Sequence, residues 1–235
     1  MNPVWQTYLR NHQAIIENNC VIHFGDISSE LQHTLANTIV ADLSHFDLIC
    51  FSGNDAKTFL QNQLTCDIRN INAHAANYGS YCTPKGRILT NFMLWQQDDD
   101  VIMQLPTSLS APIQKRLAMY VLHAKVELAQ PSENLIRMGI AGEHALSLIQ
   151  NILNCSLNRC QSLQVIEHES TRIICLSQQR FELITPIENA FSLWERLSIL
   201  AKPVGAACWD WLTIQDGIPV VLAETQEMFL PQMIN

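Results

Sequence analysis

A chain of 235 residues with 48% apolar and 15% charged residues is long enough to bury a core and too apolar to be disordered. Its formal net charge of -8, from 14 Lys+Arg against 22 Asp+Glu, argues against tight sequence-independent binding to a phosphate backbone, which needs a basic face. The apolar runs, 118–122 and 220–223 among them, fall far short of the ~20 residues of a spanning helix, and "MNPVWQTYLRNHQ" has no apolar signal core, so a cytoplasmic protein without membrane contact is expected.

Residues 1–40 show only weak periodicity. "FDLICFSG", from Phe46, predicts a strand ending at a turn. "NDAKTFLQNQLTCDI" follows as a helix capped by Asn54 or Ser52, with Ala56, Phe59, Leu60 and Leu64 on one face. A β-meander comes next, with strands over 78–83, 87–95 and 101–105; Ile88, Thr90, Phe92 and Leu94 share one face. Between the first two strands, Pro84-Lys85-Gly86-Arg87 reads as a hairpin turn, in which proline presets one φ and glycine supplies φ > 0. Asp98-Asp99-Asp100 reads as a polar hairpin tip rather than a cation site.

"SLSAPIQKRLAMYVL" predicts a helix with Ser110 near its start and Pro112 in its first turn. Strands over 124–131, with Val126 and Leu128 inward, and 134–142 precede a helix over 143–153. Strands over 163–167, 172–176 and 180–184 lead to a helix opened by Pro186, with Ala190, Phe191, Trp194 and Leu197 on one side. Strands and helices mix without a βαβ rhythm, which places the chain in the α+β class with antiparallel sheets. The expected division is a first α+β domain over 1–110, completed by 200–235, and a second, ferredoxin-like one over 111–200.

Local chemistry names no reaction. The eight cysteines contain no C-x-x-C pair and read as small core residues. The eight histidines are dispersed, and no nucleophile elbow, phosphate loop or dinucleotide fingerprint occurs. Phe46, Tyr78, Tyr81, Trp95, Trp209 and Trp211 are the aromatic candidates for a pocket wall, each with core packing as the alternative.

Five segments in order carry a family pattern: "SGNDAKTFLQNQLTCDI", "YCTPKGRILTNFMLW", "LAMYVLHAKVEL", "ACWDWLTIQDGIP" and "EMFLPQMIN". Over residues 42–235 the chain resembles YgfZ-type folate-binding proteins linked to tRNA modification, which are related to the T-protein aminomethyltransferase of glycine cleavage. The resemblance implies a multi-domain ring of α+β domains around a tetrahydrofolate. It implies an accessory role toward iron–sulfur enzymes, including tRNA-modifying ones, without independent catalysis and without direct nucleic-acid binding. Phe46, where tryptophan is the familiar residue, and Trp209 fall on its two folate-associated aromatic positions. Glu182 falls near a pteridine-binding carboxylate, and Lys85 could reach the ligand's glutamate tail.

Two departures matter. T-protein relatives place a catalytic aspartate just after the hairpin glycine, where this chain reads Ile88-Leu89-Thr90-Asn91, so the alternative reading as an aminomethyltransferase is disfavoured. The K-G-C-Y-x-G-Q-E signature that follows "PQxxN" in the family lies outside these 235 residues. The family's C-terminal β-barrel is therefore expected to be absent or incomplete. Either a longer protein continues past Asn235, or the protein is short and lacks any function of the signature cysteine.

Overall fold

The computed structural model describes residues 1–131, 134–155, 157 and 160–234. The chain opens with α1 (Pro3–Asn11), β1 (Ile15–Glu17), β2 (Cys20–His23), α2 (Ile27–Ala36) and β3 (Ile39–Asp42). It continues through β4 (Phe46–Ser52), α3 (Ala56–Gln63), β5 (Asn77–Cys82), β6 (Ile88–Gln97), β7 (Asp100–Pro106), α4 (Thr107–Ala118) and β8 (Glu127–Ala129). It ends with β9 (Leu135–Ala141), α5 (Ala145–Leu153), β10 (Val165–His168), β11 (Thr171–Ser177), β12 (Arg180–Pro186), α6 (Ile187–Leu200), β13 (Lys202–Val204) and α7 (Ala206–Gln215). No helix among the described residues is long and apolar enough to cross a membrane.

Two compact units interleave along the chain: Met1–His45 with Ser132–Leu212, and Phe46–Pro131 with Thr213–Asn235. Sequence reading instead divides the chain at 110 and 200. The difference has a physical source: β3 pairs with β9, far along the chain, and local periodicity carries no record of such long-range pairing.

The first unit is built on a six-stranded sheet of order β10-β11-β12-β9-β3-β13, antiparallel except for the β13–β3 pair. Val40, Met138, Ile140, Ile173, Phe181 and Leu183 point from one face into a core shared with α1, α5 and α6. Asn2 caps α1 by accepting from the backbone N–H of Val4 and Trp5. Trp5 then anchors that helix, its indole N–H donating to Asp42 Oδ2 at 2.7 Å. The buried Asp42 carboxyl also accepts from the backbone N–H and hydroxyl of Ser44, both at 3.0 Å. Burial pushes its pKa up in spite of these donors. β1 and β2 join through Asn18 and Asn19, at φ 48° and 63°, the two-residue type I′ arrangement that matches strand twist.

The second unit is an antiparallel sheet of order β5-β6-β7-β4-β8. Ile49, Phe51, Phe92, Leu94, Met103 and Leu105 form its core with α3 and α4, which supplies Leu109, Ile113 and Leu117 at helical spacing. Past α7, the terminal segment lies along β6: Glu227 N–H donates to the Ile88 carbonyl at 2.7 Å, and Ile88 N–H to Phe229 at 3.0 Å.

Several local expectations need correcting. α3 starts after Asp55, and neither Ser52 nor Asn54 caps it; the Asp55 carboxylate instead accepts from the Lys125 backbone N–H at 2.8 Å. α4 begins at Thr107, so Pro112 sits in the helix interior and not in the first turn. α4 also stops at Ala118, and residues 119–123 form turns in which Leu122 has φ 48°.

Candidate functional site

The second face of the six-stranded sheet carries buried charges among apolar residues such as Ile174 and Ile184. Strand alternation sends Arg137 and Gly139 of β9, Arg180 and Glu182 of β12, and Arg172 of β11 to this side. Glu182 pairs with Gly139 on one neighbour and Ile174 on the other. The three arginines and the glutamate are each no more than 7% exposed. Charges are held this deep only when they are paired or hydrogen-bonded. Arg172 donates to Glu167 Oε2 at 3.1 Å, and Arg180 to the Trp209 carbonyl at 3.2 Å.

Trp209, on α7, lies over the same face. A Cβ added at Gly139 would stand 2.5–2.7 Å from three carbons of its six-membered ring, so only glycine lets the indole settle onto the strand. The Arg180 guanidinium stands 4.1 Å from the ring centroid, within cation–π range. Glu182 and Trp209 therefore share one sheet face, with Gly139 as common neighbour.

The other two candidates lie in the second unit. Phe46 opens β4 opposite Pro106 and is half-buried. Lys85 is exposed at the tip of the β5–β6 hairpin, and β6 and β7 separate β5 from β4. Around Lys85 the turn is as expected: Gly86 has φ 78°, and its N–H donates to the Thr83 carbonyl at 2.8 Å. Arg87 donates at 3.1 Å to the carbonyl of Met228, so this arginine fastens the terminal segment.

Asn91 ends the Ile88–Asn91 run in which the resemblance leads one to expect a carboxylate. Its Nδ2 donates to the Pro219 carbonyl, and its Oδ1 accepts from the Val221 N–H at 2.7 Å. Both ends of the amide are committed to backbone, a pairing an aspartate could not reproduce because it has no donor.

Sequence reading missed the three arginines. Their signal was present: Arg180-Phe181-Glu182 alternates charged and aromatic residues within a run read only as a strand. Among the other aromatic candidates, Tyr81 and Trp95 are buried in the second unit, while Tyr78 and Trp211 are half-buried.

No group of three or more His, Cys, Asp or Glu among the described residues is arranged to hold a metal ion. Burial pushes the Cys20 and Cys66 thiols up to about 11 and Cys50 to about 12. At pH 8 these thiols are expected to react with a disulfide reagent about two orders of magnitude more slowly than a free thiol, because so little thiolate is present. Denaturant should bring all eight cysteines to the same fast rate; a rapid phase from Cys20, Cys50 or Cys66 in the folded protein would contradict this.

The family model for the GCVT N-terminal domain matches residues 21–235. The tRNA-modifying protein YgfZ of Colwellia psychrerythraea is 29% identical over 203 residues, covering 86% of this chain and 61% of that protein. The tRNA-modifying protein YgfZ of Vibrio vulnificus is 28% identical over 206 residues, covering 87% and 60%. The chain thus spans about three-fifths of the length of these curated relatives. The glycine cleavage system aminomethyltransferase T of Bartonella henselae superposes with a TM-score of 0.79 at 19% identity, over 93% of this chain and 63% of that one, a likeness of fold.

Proposed function

The chain belongs to the GCVT N-terminal domain family, and we propose that within it this protein is a cytoplasmic, folate-binding accessory protein that supports iron–sulfur enzymes, including tRNA-modifying ones. The observation that carries the reading is the sheet face with buried charges on which Glu182 and Trp209 share Gly139 as neighbour. A tetrahydrofolate fits this donor set. A carboxylate can accept from the amino and N–H groups of a pteridine, and buried guanidinium groups suit an anionic or carbonyl-bearing ligand. Glu182 would hold the ring edge and Trp209 would supply a rigid aromatic wall. Phe46 and Lys85 keep the roles the resemblance gives them, an aromatic contact and a partner for the glutamate tail.

The ligand would supply one-carbon chemistry elsewhere; this chain's residues bind and orient it. Asn91 supports that restriction, since an amide committed at both ends offers no proton acceptor. The names of the curated relatives support the link to tRNA modification. With a net charge of -8, that link is proposed as a shared pathway rather than a contact with RNA.

Calorimetric titration with tetrahydrofolate tests the reading. Binding is expected, and Glu182→Gln should weaken it by about tenfold or more through loss of charge-assisted hydrogen bonds. Lys85→Ala should have a smaller effect, confined to ligands that carry the glutamate tail. Absence of binding, or affinity indifferent to Glu182→Gln, would overturn the proposal.

A further inference from the structure

The C-terminal end of α1 is closed by a pattern of hydrogen bonds that usually calls for glycine. The Gln13 N–H donates to the Arg10 carbonyl at 3.1 Å and the Ala14 N–H to the Leu9 carbonyl at 3.0 Å, the paired closure of a Schellman motif. Gln13 holds the left-handed position of that motif with φ 70°, where a Cβ costs conformational energy. A residue kept in such a conformation points to a use for its side chain.

Gln13 lines an open cavity of about 300 Å³ within the first unit. Asn11 and His12 border it at the end of α1, Phe24 just past β2, Trp194 and Ser198 on α6, and Pro203 on β13. The Phe24 and Trp194 rings stack at 5.6 Å and 29°. Trp194 is buried and backed edge-on by Trp5, so the half-buried Phe24 is the aromatic surface left to meet a ligand. The lining is polar without fixed charge: among the described residues it contains no Asp, Glu, Lys or Arg. His12 Nδ1 lies 2.8 Å from the Tyr8 carbonyl, a contact only an N–H satisfies, so Nε2 is the acceptor of the neutral ring. Ser198 is half-buried, and its Oγ is buried with no hydrogen-bond partner among the described residues. Such a hydroxyl loses nothing by turning about χ1 toward a bound polar group.

We infer that this cavity binds an uncharged nucleobase, free or as its nucleoside. A flat ring whose edge alternates donors and acceptors matches an aromatic surface bordered by amide, imidazole and hydroxyl groups. The base stacks on Phe24, and Gln13, Asn11, His12 Nε2 and Ser198 read its edge. A lining without lysine or arginine gives a phosphate no charged partner, which sets a nucleoside apart from a nucleotide. α1 and α6 pack on the core face of the six-stranded sheet, opposite the face that carries Glu182, so this site is distinct from the proposed folate site.

The test uses the 235-residue protein, isotope-labelled for amide NMR and titrated with adenosine, uridine, adenosine monophosphate and glucose. Adenosine or uridine is expected to shift the amides of Gln13, Phe24 and Ser198, adenosine monophosphate to bind no more than about threefold tighter than adenosine, and glucose to shift none of the three. Gln13→Gly keeps the backbone conformation and removes the amide, and Ser198→Ala removes the partnerless hydroxyl. Each should weaken nucleoside binding about fivefold while the thermal midpoint stays within about 3 °C of the parent. Phe24→Leu should weaken it about tenfold or more through lost stacking. Unmoved amides with both nucleosides would overturn the proposal. So would glucose binding as tight as adenosine, adenosine monophosphate bound more than about threefold tighter, or nucleoside binding indifferent to Gln13→Gly and Ser198→Ala alike.

Discussion

Replacing Glu30 by alanine is expected to lower the stability of the first unit by about 3–5 kcal/mol, one of the two largest effects anticipated in this chain. Glu30 lies on α2 with 3% exposure, yet its carboxyl group serves two other segments. Oε1 accepts from the Phe24 N–H at 2.6 Å and Oε2 from the Gly205 N–H at 2.8 Å. One side chain thus ties the entry to α2 to the junction between β13 and α7. Alanine would leave the buried Gly205 donor and the part-buried Phe24 donor without acceptors, and each buried orphan costs roughly 1–3 kcal/mol. Glutamine should recover part of the loss, since its carbonyl can accept one N–H while its amide turns a donor toward the other. The midpoint of the unit's thermal transition should fall by about 10 °C for alanine and by less for glutamine. Equal melts for the two variants would show that the paired acceptors are not what holds these segments.

Glu30 also explains why the N-terminal region was hard to read in the sequence. α2 buries Glu30 and Thr34 while Ile27, Leu31 and Leu35 are 50%, 40% and 70% exposed. Its amphipathic pattern is inverted, and apolar periodicity is informative only when apolar residues face inward. The β1–β2 hairpin went unread, although adjacent asparagines are the residue type that tolerates two positive φ angles. The meander of the second unit was read closely because polar turns bound its strands, although β6 and β7 are buried at nearly every position rather than alternating. The Pro84–Gly86 turn carried its own chemistry and folded accordingly. The candidate site was legible only in part. Glu182 and Trp209 came from family resemblance, and Arg137 and Arg172 are single charges inside apolar strands. Only the strand order, with β12 and β9 side by side, puts them on one surface. That adjacency depends on pairing between distant segments, which no local pattern encodes.

Gly139→Ala is the second change expected to have a large effect, and it separates the two candidate ligand groups. Its new Cβ would overlap the six-membered ring of Trp209 while leaving Glu182 chemically intact. Overpacking of this kind costs about 1–3 kcal/mol, and the displaced indole would also leave its 4.1 Å contact with the Arg180 guanidinium. If Trp209 walls a folate ring, affinity for tetrahydrofolate should fall by about tenfold in Gly139→Ala although no polar group has been removed. Trp209→Phe supplies the control. Phenylalanine lacks the second ring, so in the Gly139→Ala background it relieves the overlap, and the double variant should be more stable than the sum of the two single losses predicts. Strictly additive losses would show that the indole does not rest on Gly139. Coupled stability with unchanged folate affinity would assign Trp209 to packing alone and leave Glu182 as the group that recognises the ligand.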